Sequence, residues 1–136
     1  MTPHVWQVRV YYEDTDLAGI VYHANYLKFI ERARSEMVRD LGIDQARLRA
    51  EGRVFAVTHL EATFRAPARY DDVLVIETSV QRLTPVRFVL DQTVLRDGAP
   101  LFIARVTVAC MDLEARPKRL DPGLQQGLAA QGFTKS

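Results

Sequence analysis

The stretch that decides the fold is ANYLKFIERARSEMVRDL, residues 24–41, because its apolar residues recur with the period of a helix. These residues form one stripe, with charged and polar side chains on the opposite side, as in a helix that packs on a core through one face. The stripe consists of Tyr26, Ile30, Ala33, Met37 and Leu41. Gly42 follows at once, and glycine is the preferred residue just beyond a helix C-terminus. We therefore expect one long helix here, the longest element of the chain.

The sequence on either side of this helix has the pattern of β-strands. Residues 5–13 alternate between two faces, which predicts a strand before the helix. Four later segments are rich in β-branched residues and are separated by turn residues. These segments are residues 54–65, 73–82, 86–96 and 101–112. The pair Asp97-Gly98 between the last two is a hairpin signal. We predict four further strands in an antiparallel meander.

One helix cannot bury its apolar stripe alone, and the simplest arrangement wraps a sheet around it. We therefore predict an α+β fold, with an antiparallel sheet of about five strands around one long central helix. A second, weaker helix is expected over residues 44–51, with Asp44 as its N-cap. The 136 residues suffice for a single domain, residues 1–136, in which a short helix and a loose tail begin at about residue 122.

The composition excludes several classes of protein. A net charge of +1 gives no overall field that would attract nucleic acid, so no nucleic-acid partner is expected. The single cysteine, Cys110, excludes an intrachain disulfide and a four-cysteine zinc site. No apolar run is long enough to span a membrane. The first residues carry neither the basic nor the apolar region of a secretion signal, so we expect the protein in the cytoplasm.

The residues with chemical potential concentrate in YEDTDLAGIVYHANY, residues 12–26, between the first strand and the long helix. Asp14, Asp16 and Gly19 fit three positions of a calcium-binding loop, but Ala18 and Asn25 stand where that loop requires oxygen ligands. A metal hydrolase built on Asp16, His23 and His59 is also disfavoured, since their spacing matches no compact metal motif. We expect no metal.

A carboxylate facing a helix N-terminus is the third arrangement that this segment allows. The first N–H groups of a helix have no internal partners, and the helix dipole adds positive charge, so this end can hold an oxyanion. A nearby aspartate can then attack a carbonyl or activate water. The spacing from Asp16 to His23 permits this geometry. It does not require it, because Asp14, Asp16 and Asn25 are equally explained as turn and cap residues.

Residues 12–26, continuing as LKFIERARSEM in residues 27–37, resemble the signature of hotdog-fold acyl-CoA thioesterases. The segment is similar to the 4-hydroxybenzoyl-CoA thioesterase family, and within it to the bacterial Tol-Pal-associated acyl-CoA thioesterases. A weaker resemblance extends through FRAPARYDD, residues 64–72. The resemblance implies a hotdog fold, hydrolysis of an acyl-CoA thioester to carboxylic acid and CoA, no cofactor, and a homodimer or homotetramer.

The resemblance also implies roles for individual residues. Asp16 matches the catalytic aspartate, as nucleophile or general base. His23 stands where the family places the backbone N–H that polarises the thioester carbonyl. The active site of the family lies at a dimer interface, so Thr58 and His59 would contribute from the partner chain. The residues expected to shape the pocket and brace the loop are Tyr22, Asn25 and Tyr26.

The position of the CoA phosphates follows less directly from the resemblance. Family members carry basic residues at the turn before the fourth strand, where this chain has Arg82 and Arg87 on either side of Pro85. Relatives have a denser or glycine-containing basic stretch there. Arg65 and Arg69 are therefore further candidates for the phosphate contacts.

A different class of function uses the same pocket. A non-catalytic module that binds acyl-CoA or an acyl carrier protein would need the apolar cavity but not the carboxylate of Asp16. Release of free thiol from an acyl-CoA distinguishes the enzyme from the binding module.

Overall fold

The fold is built from five strands and three α-helices, in a computed structural model that describes residues 2–131. The elements in chain order are β1 (His4–Arg9), α1 (Asn25–Asp40), α2 (Gln45–Ala50), β2 (Val54–Phe64), β3 (Val73–Leu83), β4 (Arg87–Arg96), β5 (Ala99–Met111) and α3 (Pro122–Ala130). The long helix and the four later strands are confirmed, with ends shifted by at most two residues. The predicted α+β fold is correct. None of the helices in residues 2–131 is long and apolar enough to cross a membrane.

The ends of the chain differ from the prediction in one respect. The first strand stops at Arg9 instead of reaching residue 13, because Tyr12–Asp14 forms a 3-10 turn. The side chain of Asp14 closes this turn by accepting a hydrogen bond from the Tyr11 N–H at 2.7 Å. The helix expected after residue 122 is confirmed as α3, while the predicted loose tail lies largely outside the described residues.

The five strands form one antiparallel sheet in the order β1-β3-β4-β5-β2. Strands β3, β4 and β5 follow one another as a meander, but the prediction that β2 belongs to this meander was wrong. After Phe64 the chain does not turn back, because residues 65–72 cross the end of the sheet. Val10 fixes this crossing through backbone hydrogen bonds with Asp71 and Asp72, both 2.9 Å long. As a result β2 is an edge strand beside β5.

The turn between β4 and β5 is the predicted hairpin. Asp97 and Gly98 have φ angles of +51° and +81°. Positive φ at both central residues is typical of the tight hairpin turn for which Asp-Gly is a preferred sequence.

Helix α1 packs on the inner face of the sheet through its apolar stripe. Its most deeply buried side chains are Phe29, Ile30, Ala33 and Met37, and they share one core with the inner residues of β3, β4 and β5. One buried polar contact fixes the helix on the sheet: the side-chain amide of Gln92 in β4 donates to the Ile30 carbonyl at 2.8 Å and to the Thr78 hydroxyl at 3.0 Å. The N-terminus of α1 thereby has a fixed position at one end of the sheet.

Candidate active site

A cavity of about 380 Å³ opens where the start of α1 meets the end of β2. It brings together four residues that the sequence singled out, Asp16, His23, Tyr26 and Arg65. The remaining walls come from the loop before α1 and from the chain that follows β2, and they consist of Ile20, Val21, Phe64, Ala66 and Pro67. The cavity therefore has an apolar wall, with charged and polar groups from only a few positions.

Asp16 lies in a tight loop that fixes its backbone and leaves its side chain exposed. Its N–H donates to the Ile20 carbonyl, and its own carbonyl accepts from the Gly19 N–H, both at 3.0 Å. Gly19 has a φ of +78°, a conformation that glycine adopts without strain. One carboxylate oxygen, Oδ1, accepts from the Ala18 N–H at 2.9 Å. Within residues 2–131 the other oxygen has no protein donor, so it is available to a molecule in the cavity.

The N-terminus of α1 presents unused N–H groups beside this cavity. Ala24 is the N-cap residue, and no side chain caps the helix there. The Asn25 N–H donates to the Tyr22 carbonyl at 2.8 Å, whereas the N–H groups of His23 and Ala24 find no acceptor in the described part of the chain. Since the helix dipole adds positive charge at this end, the position favours a developing negative charge.

Asp14 and Asn25 connect the loop to the helix. Asn25 is 8% exposed, and its side-chain amide donates to the Asp14 carbonyl at 2.9 Å. The same carbonyl accepts from the Tyr22 N–H at 2.9 Å. Asp14 is thus a turn residue, while Asn25 has the contacts of a residue that braces the loop.

Tyr26 belongs to an aromatic wall of the cavity. Its ring is nearly parallel to that of Phe102, with centroids 4.9 Å apart. It also packs edge-to-face with the Phe64 ring, with centroids 5.7 Å apart. Its hydroxyl oxygen accepts from the Ala68 N–H at 3.0 Å. Burial raises the pKa of Tyr26, so its phenol stays protonated at neutral pH. Tyr22 does not line this cavity. Its half-exposed ring instead packs against the His23 ring, with centroids 4.6 Å apart.

The segment after β2 is held against the cavity by an ion pair. Asp72 accepts from the Arg96 guanidinium at 2.7 Å and from the Arg69 N–H at 2.8 Å, and Arg96 also donates to the Pro67 carbonyl. Burial alone would raise the pKa of Asp72, but these hydrogen bonds and the nearby arginines outweigh burial and lower it. Nothing in the sequence connects Asp72 with Arg96, which lies 24 residues further along the chain.

Arg82 and Arg87 lie together in a second depression, of about 230 Å³, on the other face of the sheet. Arg87 alternates along β4 with Phe88, which is buried toward α1, so the arginine points away from the helix. Thr84 shapes this groove by accepting from the Arg87 N–H at 3.1 Å. The sheet separates the groove from Asp16, so the structure does not bring the predicted phosphate and acyl sites together within one chain.

Thr58 and His59 lie on the edge strand β2, away from the cavity of their own chain. Pairing with β5 shifts register between Val57 and His59, which leaves Thr58 in a bulge. The His59 ring lies 3.2 Å from the Glu61 carboxylate. In residues 2–131 no group of three or more histidines, cysteines or acids could hold a metal ion, and the metal set weighed from the sequence is not assembled.

Comparison with known proteins gives the same result for sequence and for structure. A model of the thioesterase-like superfamily matches residues 10–128. The acyl-CoA thioester hydrolase YbgC of Escherichia coli O157:H7 is 43% identical over 117 residues, which cover 85% of this chain and 87% of that protein. The acyl-CoA thioesterase YbgC of Haemophilus influenzae is 44% identical over 107 residues, 78% of this chain and 79% of the relative.

Solved structures agree. A probable thioesterase from Bartonella henselae has a TM-score of 0.83 at 42% identity, over 88% of this chain and 99% of the other. A 1,4-dihydroxy-2-naphthoyl-CoA thioesterase from Synechocystis has a TM-score of 0.88 at 21% identity, over 93% and 96% of the two chains, which indicates a shared fold. The hotdog architecture expected from residues 12–37 is therefore confirmed.

Proposed function

The chain belongs to the thioesterase-like superfamily and is a thioester hydrolase, and from this premise we propose that it hydrolyses an acyl-CoA to a carboxylic acid and CoA in the Asp16 cavity. The proposal rests on two kinds of group that lie at one apolar cavity. One is a carboxylate oxygen of Asp16 that has no protein donor in residues 2–131, and the other is the set of uncapped N–H groups at the start of α1. These are the two groups that acyl transfer needs, a nucleophile or base and a site for the oxyanion.

Two routes are chemically consistent with this geometry. In the first, a carboxylate oxygen of Asp16 attacks the thioester carbonyl carbon, CoA leaves as the thiolate, and water hydrolyses the resulting mixed anhydride. In the second, Asp16 takes a proton from a water molecule that attacks the same carbon. Both routes yield the acid and CoA. A thiolate is a good leaving group, so neither route needs a strong general acid.

The oxyanion of either route would accept hydrogen bonds from the N–H groups of His23 and Ala24. These donors are fixed by the helix start, so no reorganisation is needed as the negative charge develops. The His23 imidazole has no step to perform in either route, and its ring packs beside Phe64 with centroids 6.3 Å apart.

We propose that Arg82 and Arg87 hold the CoA phosphates. Arginine offers several donors in a planar fork that matches phosphate oxygens, and Thr84 fixes the turn between these two residues. Because the sheet lies between this groove and the cavity of the same chain, the groove of one copy would serve the cavity of another. Arg65 on the cavity wall and Arg69, four residues further along the chain, are the alternatives within one chain.

A homo-oligomer would also explain the edge strand β2. An unpaired edge is a template for a further strand, and β2 exposes Val57, Leu60 and Phe64 at 48%, 37% and 54%. Pairing with β2 of a second copy would satisfy this edge and cover the apolar side chains. Thr58 and His59 of the second copy would then lie nearer to the cavity.

The alternative is a binding module for acyl-CoA or an acyl carrier protein. The free carboxylate of Asp16 disfavours it, since an apolar acyl thioester gains nothing from a nearby negative charge. CoA thioesters as substrates fit an enzyme of the cytoplasm, and we propose that location.

A thiol-release assay over a panel of acyl-CoAs separates these functions. We expect the wild-type protein to release one CoA and one free acid for each thioester consumed, over many turnovers. Binding of an acyl-CoA, detected as a rise in melting temperature, without any thiol release would identify the module and contradict the enzyme.

A further inference from the structure

We infer that Phe64 sets the size of the acyl group that the cavity accepts, and that this group is compact. The inference rests on the proposed function, because it concerns the acyl part of the thioester whose carbonyl lies near Asp16. Compact here means a short aliphatic chain or a single ring.

Phe64 stands between the reacting end of the cavity and its aromatic floor. It is the last residue of β2, and its ring meets the His23 ring nearly at a right angle, at 80° and 6.3 Å. On the other side its ring packs against the rings of Tyr26 and Phe102, with centroid distances of 5.7 Å and 5.0 Å. An acyl group whose carbonyl oxygen is bound at the N–H of His23 must therefore pass the Phe64 ring as it extends inward.

The floor beyond Phe64 is closed. Tyr26 and Phe102 are 3% and 0% exposed and stack with an angle of 10° between their planes. The hydrogen bond from the Ala68 N–H to the Tyr26 hydroxyl keeps this ring in place. Phe29 is also fully buried, and its ring packs edge-to-face with that of Tyr26, with centroids 6.2 Å apart. The cavity thus ends at rings that belong to the core, and a long chain has no path past them.

Phe64 differs from these floor residues because it is 54% exposed and hydrocarbon only. Removing its ring enlarges the cavity from the side without opening the core.

The test compares selectivity in three variants. Phe64→Ala and Phe64→Leu shorten the side chain in two steps, and Tyr70→Ala is the control. Tyr70 is an aromatic residue of similar exposure, 49%, which stacks on Tyr12 at 4.5 Å and does not line the cavity. For each protein kcat/KM is measured with butyryl-CoA, benzoyl-CoA, octanoyl-CoA and hexadecanoyl-CoA, together with melting temperature and oligomeric state.

We expect the wild type to prefer butyryl-CoA or benzoyl-CoA to hexadecanoyl-CoA. Phe64→Ala should raise the ratio of kcat/KM for octanoyl-CoA to that for butyryl-CoA about tenfold, since each methylene in an apolar site is worth about tenfold or more. Phe64→Leu should give a smaller rise, and Tyr70→Ala none.

Two results would overturn the inference while leaving the proposed function in place. One is a folded Phe64→Ala protein in which the ratio of kcat/KM for octanoyl-CoA to that for butyryl-CoA stays within about twofold of the wild-type ratio, when a tenfold change is expected. If Phe64→Ala does not fold, the same criterion applies to Phe64→Leu. The other is a wild type that prefers hexadecanoyl-CoA. Absence of thiol release from every acyl-CoA would instead contradict the proposed function itself.

Discussion

The cavity on the inner face of the sheet and the groove on its outer face both hold charged residues that the sequence singled out, but their surroundings differ. In the cavity, the Asp16 carboxylate keeps one oxygen free of donors from residues 2–131 beside uncapped helix N–H groups, and the remaining wall is mainly apolar. In the groove, Arg82 and Arg87 flank a turn fixed by Thr84. The groove has charge for holding an anion, but its described lining has no carboxylate.

Under the proposed function, the two faces would perform separate tasks. A group that acts only as the bond breaks affects kcat, whereas a group that holds a remote part of the substrate equally in the ground and transition states affects KM. Substitutions in the cavity and in the groove should therefore change different kinetic constants.

The largest effect is expected from Asp16→Asn. The amide cannot act as nucleophile or base, so kcat should fall about a thousandfold, within the range for loss of a positioned base. The melting temperature should hardly change, because Asp16 is exposed and its side chain accepts one hydrogen bond, which an amide oxygen can also accept.

The matched control for this variant is Asp97→Asn. Asp97 occupies the hairpin turn with φ +51°, where Asn-Gly is also favoured. It should keep wild-type kcat and stability. Equal losses in both variants would mean that the effect of Asp16→Asn is not local to the cavity.

Asn25→Leu should reduce both stability and kcat. The leucine removes the hydrogen bond from a buried amide to the Asp14 carbonyl, at a cost of about 1–3 kcal/mol of unfolding free energy. The loop that carries Asp16 would lose its brace to the helix. Denaturant unfolding and steady-state kinetics measure the two effects, and unchanged values would show that the loop holds its geometry without Asn25.

Replacing both groove arginines, Arg82→Ala with Arg87→Ala, should raise KM for an acyl-CoA about tenfold with little change in kcat, since charge-assisted contacts to an anion contribute on the order of 1–3 kcal/mol. The wild-type KM should rise with salt more steeply than that of the variant. As a control, a second double variant, Arg65→Ala with Arg69→Ala, tests the alternative position of the phosphates. A rise in KM confined to that second pair would move the phosphate site to the rim of the cavity.

The smallest effect is expected from Asp72→Asn, which weakens the ion pair with Arg96 at the rim of the cavity. The folded pKa of Asp72 is lowered, so its ionised form stabilises the fold above the pKa of an ordinary carboxyl, and this contribution is lost as pH falls. At neutral pH the variant should be about 1 kcal/mol less stable. The difference should shrink as pH falls below about 4, the range of an unperturbed aspartate. A difference that persists in acid would contradict this assignment.

The elements of the fold were predictable because local pattern determines them. The apolar stripe of α1, the alternation of the strands and Asp97-Gly98 each carry their own signal, and each is present in the structure. The position of β2 was not predictable from such patterns. It depends on backbone hydrogen bonds between Val10 and residues 71–72, which are far apart in sequence and carry no side-chain signal.

The candidate site shows the same limit. The resemblance implied that Asp16 and His23 belong to one site, whereas their spacing only permitted it, and both line the cavity. The wall formed by Phe64 and Pro67 comes from a distant segment, for which the sequence offered only the weaker similarity of residues 64–72. The position of Arg82 and Arg87 on the opposite face depends on strand register and on the burial of Phe88, which the alternating pattern alone does not assign to a face.

Single-turnover hydrolysis at saturating enzyme tests the division between the two faces most directly, because it reports the chemical step without the affinity for substrate. The wild type, Asp16→Asn and the double arginine variant are each mixed in excess with one acyl-CoA, and the rate of CoA release is followed. We predict that the arginine variant keeps the wild-type rate, whereas Asp16→Asn is slower by about a thousandfold. An Asp16→Asn protein that releases CoA at the wild-type rate would contradict the catalytic role of Asp16 and with it the division between the two faces.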